Sequence, residues 1–424
     1  MEQARAEISP PKLITALRGF NLLPAIVFLP TRRRCDEAAL EVANDKSQRA
    51  DPERQAHRQK ILDDFAAEYP EVLDHKHAKV IVRSGVAAHH AGHIPSWKLL
   101  IEKMMSGGLL NALFATSTVA AGVDFPARTV VVSNADTRGN DGWRPLTASE
   151  LQQMTGRAGR RGRDNVGFVV LAPGQFQNPK RIAELLKAPP DALVSRFRAT
   201  YTSLLNLLDA FGNFEQIQEI AEKSYSTFRT PHSALRTQQT WEPFDKRAKV
   251  LDHFGYLDYD SETVTESGKW LADLRIDRPL LVGEALKQGI FDDLKISEAA
   301  GLMASVASDA DRSYGEMRAS RMMFDLLADF EDIVVKVSNV EWKNSVEPAE
   351  EINYSAAAAA ERWTAGMEWD ELVDRTRAEE GDLVRLLSRT GEALRQLANL
   401  RDSNPAAAAI AQTAAEAILR EPVR

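Results

Sequence analysis

The residues best suited to chemistry lie in Gln153–Asp164, QMTGRAGRRGRD. Arg157 and Arg160 are separated by Ala158 and Gly159. If the segment opens a helix, both guanidiniums project on one side. Gly156, Ala158 and Gly159 leave room for a phosphate chain to come close. An arginine aimed at a γ-phosphate stabilises transition-state charge, and such a finger contributes roughly 10³–10⁵ in rate. A solvated basic loop is the plainer alternative. The interleaved small residues and the nearby Gln153 weigh against it.

A second segment, Leu113–Val132, reads LFATSTVAAGVDFPARTVVV. An apolar strand ends in the hydroxyls of Thr116, Ser117 and Thr118, and a small-residue turn follows with Gly122 and Asp124. Hydroxyls and free backbone N–H groups at the C-terminal end of a parallel strand suit phosphate contacts. Open α/β sheets also place their ligands there. On these residues alone, a strand–turn–helix joint with capping hydroxyls remains open. A third segment, VAAHHAGHIP (Val86–Pro95), holds His89, His90 and His93. No carboxylate or cysteine partner is evident nearby, and adjacent histidines on a strand face opposite ways. Structural or RNA-facing histidines are therefore expected rather than a metal site.

These segments need a scaffold, and the pattern around them supplies one. The chain has 424 residues, enough for two or three domains. Pro24–Leu29, Asn111–Thr116, Arg128–Asn134 and Val166–Ala172 are short apolar runs that suit buried strands. Ser96–Met105 and Ala148–Arg157 between them are amphipathic. That alternation predicts a parallel α/β sheet over residues 1–178. Ala172-Pro173-Gly174 and Asn178-Pro179 mark its end. Asp191–Phe211 reads as one long helix closed by Gly212-Asn213. Residues 229–240, polar and carrying Pro231, read as a linker. A helix over Trp241–Phe254 and a hairpin-like Gly255–Trp270 suggest a winged helix within 179–274. Residues 275–424 read as an all-α bundle, with alanine-rich stretches at Ser355–Arg362 and Ala406–Leu419.

The net charge of −8 excludes a chain that coats nucleic acid non-specifically, so such contacts must come from a local basic groove. A single cysteine, Cys35, rules out an internal disulfide and a cysteine-built zinc site. No apolar run reaches membrane-spanning length and Met1–Pro11 has no secretory pattern, so a cytoplasmic location without membrane partners is expected.

FATSTVAAGVDFPARTVVV and TASELQQMTGRAGRRG closely resemble motifs of superfamily 2 DExH-box helicases, in the superkiller- and exosome-associated RNA helicase branch. Their order and spacing are those of that family's second RecA-like lobe. PAIVFLPTRRRCDEAA (Pro24–Ala39) resembles its motif IV region, and VAAHHAGHIP its motif IVa. Beyond the lobe, SRFRATYTSLLNLL (Ser195–Leu208) and EKSYSTF (Glu222–Phe228) resemble the entry to the family's winged helix. RPLLVGEALKQGIFDDLKISEAAGLMASV (Arg278–Val306) and EEGDLVRLLSRTGEALRQL (Glu379–Leu397) are similar to its helical DSHCT-type domain. The resemblance implies that Gln153, Arg157 and Arg160 face ATP, with the two arginines as fingers. It implies that Gly122 and Asp124 couple the nucleotide site to RNA. Thr116 and Thr118 would touch the RNA backbone, with Arg32 and His90 as neighbours. Arg385 and Arg389, one turn apart, would lie on the helix that follows the exiting strand.

The phosphate-cradling G-x-x-x-x-G-K-[ST] loop is not in this sequence. Ser267–Trp270, SGKW, has no hydroxyl after the lysine, and CDEAA (Cys35–Ala39) reads as surface acid and apolar core rather than a DExH box. The expectation is an α/β RecA-like lobe, a winged helix and a helical bundle from which the first lobe is missing. Eukaryotic exosome helicases insert an arch domain near Arg229–Trp241, whereas this chain has a short segment, as in a compact prokaryotic version. The expected function is that of the C-terminal portion of a 3′-to-5′ ATP-dependent RNA helicase. ATP with Mg²⁺ would be bound jointly with a first lobe supplied in cis or in trans, and an RNA-degradation complex is a possible setting. A non-catalytic RNA-binding adaptor and a DNA-unwinding relative are the alternatives.

Overall fold

The computed structural model describes residues 7–46, 51–117, 127–139, 142–192, 198–223, 234–309, 312–348 and 351–424. It divides into two compact units, Met1–Ala192 and Leu193–Arg424.

The first unit is built on a five-stranded sheet in the order β2-β3-β1-β4-β7, with every pairing parallel. The strands are β1 (Ala25–Phe28), β2 (Val86–His89), β3 (Ala112–Ala115), β4 (Thr129–Val132) and β7 (Phe168–Leu171). Sequences such as AIVF and TVVV form strands because β-branched and apolar side chains fill both faces of a covered sheet. β1 to β4 are accordingly buried throughout. β7 lies at one edge and keeps Phe168 and Val169 exposed. Around the sheet run α1 (Pro10–Gly19), α2 (Arg32–Asn44), α3 (Pro52–Ala66), α4 (Ala78–Ser84), α5 (Pro95–Ser106), α6 (Ala148–Thr155) and α7 (Pro179–Lys187). Arg58, on α3, is buried and donates from Nε to the carbonyl of Val82 at 2.7 Å, tying α3 to α4.

Between β4 and α6 stands an antiparallel hairpin, β5 (Asp136–Gly139) and β6 (Gly142–Pro145), which the pattern of apolar runs missed. Its two strands, DTRG and GWRP, have Trp143 as their one large apolar residue. The signal that could have found it is Gly139-Asn140-Asp141-Gly142, a sequence suited to a tight hairpin turn.

Three sequence expectations need correction. The lobe does not end at residue 178: α7 packs on α6, and Gln152 Nε2 donates to the carbonyl of Ala188 at 2.9 Å, so the unit runs to Ala192. The long helix expected over Asp191–Phe211 is a helix over Tyr201–Phe211, started by a capping box between Thr200 and Ser203. The linker expected over 229–240 is already helical from Ala234, within Ala234–His253. Phe244, Ala248 and Leu251 give that helix a buried face at helical spacing, and this outweighs Pro243 and the polar start.

The second unit is mostly helical. Helices Tyr201–Phe211, Phe214–Glu222 and Ala234–His253 are followed by a small hairpin, β8 (Leu257–Asp258) and β9 (Thr263–Val264), and by helix Glu266–Asp273. Among the described residues, seven helices then run from Pro279 to Ile418. One hydrophobic core extends from Tyr201 to Val423, so the region before residue 275 and the helices after it pack as one body. Two buried polar ties cross residue 275. Tyr201 donates its hydroxyl to Glu341 at 2.7 Å, and Tyr256 donates to Glu284 at 3.1 Å.

Candidate functional site

The arginine segment does not open a helix; it follows one. Thr147 and Glu150 form a capping box at the start of α6, and Gly156 ends that helix. Gln153 is exposed on α6. The chain then turns back through Arg157–Asp164. Gly159 N–H donates to the carbonyl of Ala127 at 2.8 Å, and Ala127 pairs with Ala158 in a short parallel bridge. Gly159 has φ 90° and Gly162 φ 74°, both in the left-handed region that glycine adopts readily. Gly167 passes so close beneath that a Cβ there would lie 2.5 Å from the backbone of Ala158.

Asp164 organises this loop. Its carboxylate accepts from Arg160 Nε at 2.7 Å, Arg160 Nη2 at 2.9 Å and the Arg160 amide at 3.0 Å. Arg128 adds a longer contact at 3.3 Å. The Arg160 guanidinium beside it holds the Asp164 carboxyl down at about 2. An aspartate in the unfolded chain titrates near ~3.9. The tie therefore contributes fully above that value and is lost as pH falls toward the folded-state value. Hydrogen exchange of the amides of 157–164 should keep its protection to about pH 4 and lose it below. In Asp164→Asn that acid step should be absent. A wild-type step at higher pH would assign it to another carboxylate.

The sheet sorts the candidate residues onto two edges. All five strands point one way, so their C-terminal ends share one edge. Thr116 follows β3 there, and Ser117 lies 3.4 Å from Thr137 of β5, hydroxyl to hydroxyl. Arg32 opens α2 just after β1, behind the Thr31 cap. The Arg157–Asp164 loop lies at the opposite edge, beside Ala127 and the start of β4 and β7. Thr118, Gly122 and Asp124 lie outside the described residues.

His90 requires a correction. It follows β2 on the first edge but is only 1% exposed, and its Nε2 lies 3.2 Å from Asp36. It faces the interior, not a surface strand. The expectation that the histidines lack a carboxylate partner also fails. Asp36, read as surface acid, is folded inward from α2 onto His77, His90 and His93. Sequence spacing could not pair residues so far apart in the chain.

Two exposed aromatics were also missed. Trp143 on β6 and Phe176 are 57% and 59% exposed and stack with ring centroids 6.3 Å apart. They border a pocket of about 340 Å³ at the C-terminal edge, shared with Leu29, Thr31, Arg33 and Ser133. In the second unit Arg385 and Arg389 lie on helix Glu380–Ala398. Arg385 is exposed. Arg389 is paired with Asp277 and, at 3.3 Å, with Asp309.

Residues 261–424 match the DSHCT (NUC185) domain. The chain is similar to the human superkiller complex protein 2, 33% identical over 248 residues, covering 57% of this chain and 19% of that protein. It is 34% identical over 225 residues to the human exosome RNA helicase MTR4, covering 51% of this chain and 21% of that protein. A bacterial relative is the probable helicase HelY of Mycobacterium tuberculosis, 32% identical over 229 residues, 53% of this chain and 25% of that protein. The aligned region thus spans about a fifth to a quarter of the length of these relatives.

Proposed function

We propose that this chain corresponds to the C-terminal region of a DExH RNA helicase of the SKI2 and MTR4 type, with its DSHCT domain, and that it supplies the arginine fingers and strand-binding surfaces of an ATP-driven 3′-to-5′ RNA helicase. The observation that carries this reading is the loop Arg157–Asp164. A bidentate tie to Asp164 orients Arg160, and close glycine packing sets the backbone that carries it. The loop fits the nucleotide only in part. It offers cations for phosphate oxygens, but its carboxylate, Asp164, is engaged on both oxygens. ATP with Mg²⁺ would therefore be shared with a phosphate-binding lobe, in cis or in trans.

On this reading Gln153, Arg157 and Arg160 face the nucleotide, and Gly122 and Asp124 link it to the strand. Thr116 and Arg32 meet the RNA backbone at the other edge of the sheet, Thr118 shares that task, and Arg385 and Arg389 contact the exiting strand. Two edges with two tasks suit a motor in which nucleotide closure at one edge moves a strand held at the other. The exposed Trp143–Phe176 pair supports strand binding, since nucleobases stack on such surfaces. The names of the human relatives, a superkiller complex protein and an exosome helicase, support an RNA-degradation complex as the setting.

The test is ATP hydrolysis by the chain alone and after addition of a family first lobe, with and without single-stranded RNA. The expected result is no turnover alone and RNA-stimulated turnover after complementation. Turnover by the chain alone would reveal a phosphate site within it and overturn the shared-site reading. Competition between matched RNA and DNA strands separates an RNA helicase from a DNA helicase.

A further inference from the structure

A buried cluster on the first unit is used by none of the chemistry above. Asp36 Oδ1 lies 2.8 Å from His77 Nε2, 3.2 Å from His90 Nε2 and 3.2 Å from His93 Nε2. The three imidazoles are each 1% exposed. Asp36 Oδ2 accepts from Lys76 Nζ at 2.7 Å. Three ring nitrogens therefore converge on one oxygen that has two lone pairs, so three N–H donors cannot all be well accommodated. The Nδ1 atoms of His77 and His93 are buried without a hydrogen-bond partner among the described residues.

We infer that Asp36, His90 and His93 form a three-ligand Zn²⁺ site whose fourth position is left to solvent. The ligand atoms of Asp36, His90 and His93 lie within 4.8 Å of one another. In a tetrahedral site with bonds of about 2.0–2.1 Å, neighbouring ligand atoms sit roughly 3.3 Å apart, near the spacing from Asp36 to His90 and His93. Imidazole with one carboxylate suits Zn²⁺, whereas Mg²⁺ and Ca²⁺ take oxygen ligands. This ion is thus distinct from the one that accompanies ATP. His75 buttresses the cluster, stacked on Trp97 at 3.8 Å and edge-on to His93 at 4.9 Å. The ligands come from α2 and from the loop after β2, so the ion would clip two distant parts of the lobe together. His90 Nδ1 accepts from the Gly92 amide at 3.1 Å, which places the ring proton on Nε2. Ligation through Nε2 moves that proton to Nδ1 and releases the Gly92 amide.

The test uses the untagged 424-residue chain, purified from zinc-supplemented cells and analysed for metal content. About one zinc per chain is expected, and Co²⁺ added to chelator-stripped protein should give tetrahedral absorption bands that Zn²⁺ abolishes. Chelation should lower the melting temperature, with recovery on Zn²⁺ but not Mg²⁺. The Gly92 amide resonance should shift on loading. His93→Leu should lose the metal, whereas His89→Leu should retain it, because His89 turns to the other side toward Glu102 at 3.8 Å. Should His93→Leu fail to fold, the wild-type Co²⁺ titration still decides. Folded wild type with no zinc and no Co²⁺ bands would overturn the site. Full zinc occupancy in a folded His93→Leu would overturn this ligand set.

Discussion

Arg160→Ala, in the chain complemented with a first lobe, is expected to lower RNA-stimulated ATP hydrolysis by roughly 10³-fold or more. A loss of that size corresponds to about 4 kcal/mol of transition-state stabilisation. The effect should fall on kcat more than on KM, because an arginine finger acts on charge that develops in the transition state. Arg160 also has a structural bond to make, since its guanidinium grips Asp164 through Nε and Nη2. The two roles separate by comparison. Asp164→Asn keeps the arginine and weakens the grip, so it should cost less than Arg160→Ala. Arg157→Ala tests the second finger with no change at Asp164. If Arg160→Ala stays within tenfold of wild type while Asp164→Asn abolishes turnover, Arg160 is a loop brace and not a finger.

Gly167→Ala should be the most damaging single-methyl change near the loop. The added Cβ would lie 2.5 Å from the carbonyl carbon and oxygen of Ala158 and 2.7 Å from the Gly159 amide nitrogen. All three are backbone atoms, so no side chain can swing aside, and the Arg157–Asp164 loop must shift. A displacement near 1 Å at a catalytic group costs on the order of 10²-fold in rate. The same clash should lower the melting temperature of the lobe, so turnover is compared well below it. Gly162→Ala is the matched control: it has φ 74° but nothing within 4 Å of its would-be Cβ. It should show backbone strain of about 1 kcal/mol and a smaller loss of turnover. Equal turnover in Gly167→Ala and wild type would mean that this packing does not set the arginine geometry.

The parallel α/β sheet and the helical character of the rest were legible because their causes are local, whereas the separate winged-helix and bundle domains expected on either side of residue 275 share one core. Short apolar runs such as TVVV mark buried strands wherever they occur, and the alanine-rich Ala406–Leu419 stretch became helix Pro405–Ile418. Where local signals were mixed, tertiary packing decided. The polar stretch before Trp241 joins a helix whose Phe244 and Leu251 meet a core shared with residues 275–424. No reading of propensity alone could weigh that burial. Boundaries moved for the same reason, as α7 stays with the lobe through its contact with α6 and the bond from Gln152 to Ala188.

At the site, residue identity was the sequence's contribution and placement was the structure's. The types and spacing of Arg157 and Arg160 mark them as a candidate pair. That they turn back after a helix, held by Asp164 and crossed by Gly167, depends on contacts between backbone segments that spacing does not encode. The division of Thr116 and Arg157 between opposite edges likewise follows from strand direction. His90 shows the limit most clearly. Its sequence neighbours left a structural or an RNA-facing histidine open and the resemblance placed it near RNA, yet a carboxylate 54 positions away draws it inward. A buried imidazole must satisfy its nitrogens with whatever the fold brings within 3 Å or so, and only the folded chain determines what that is.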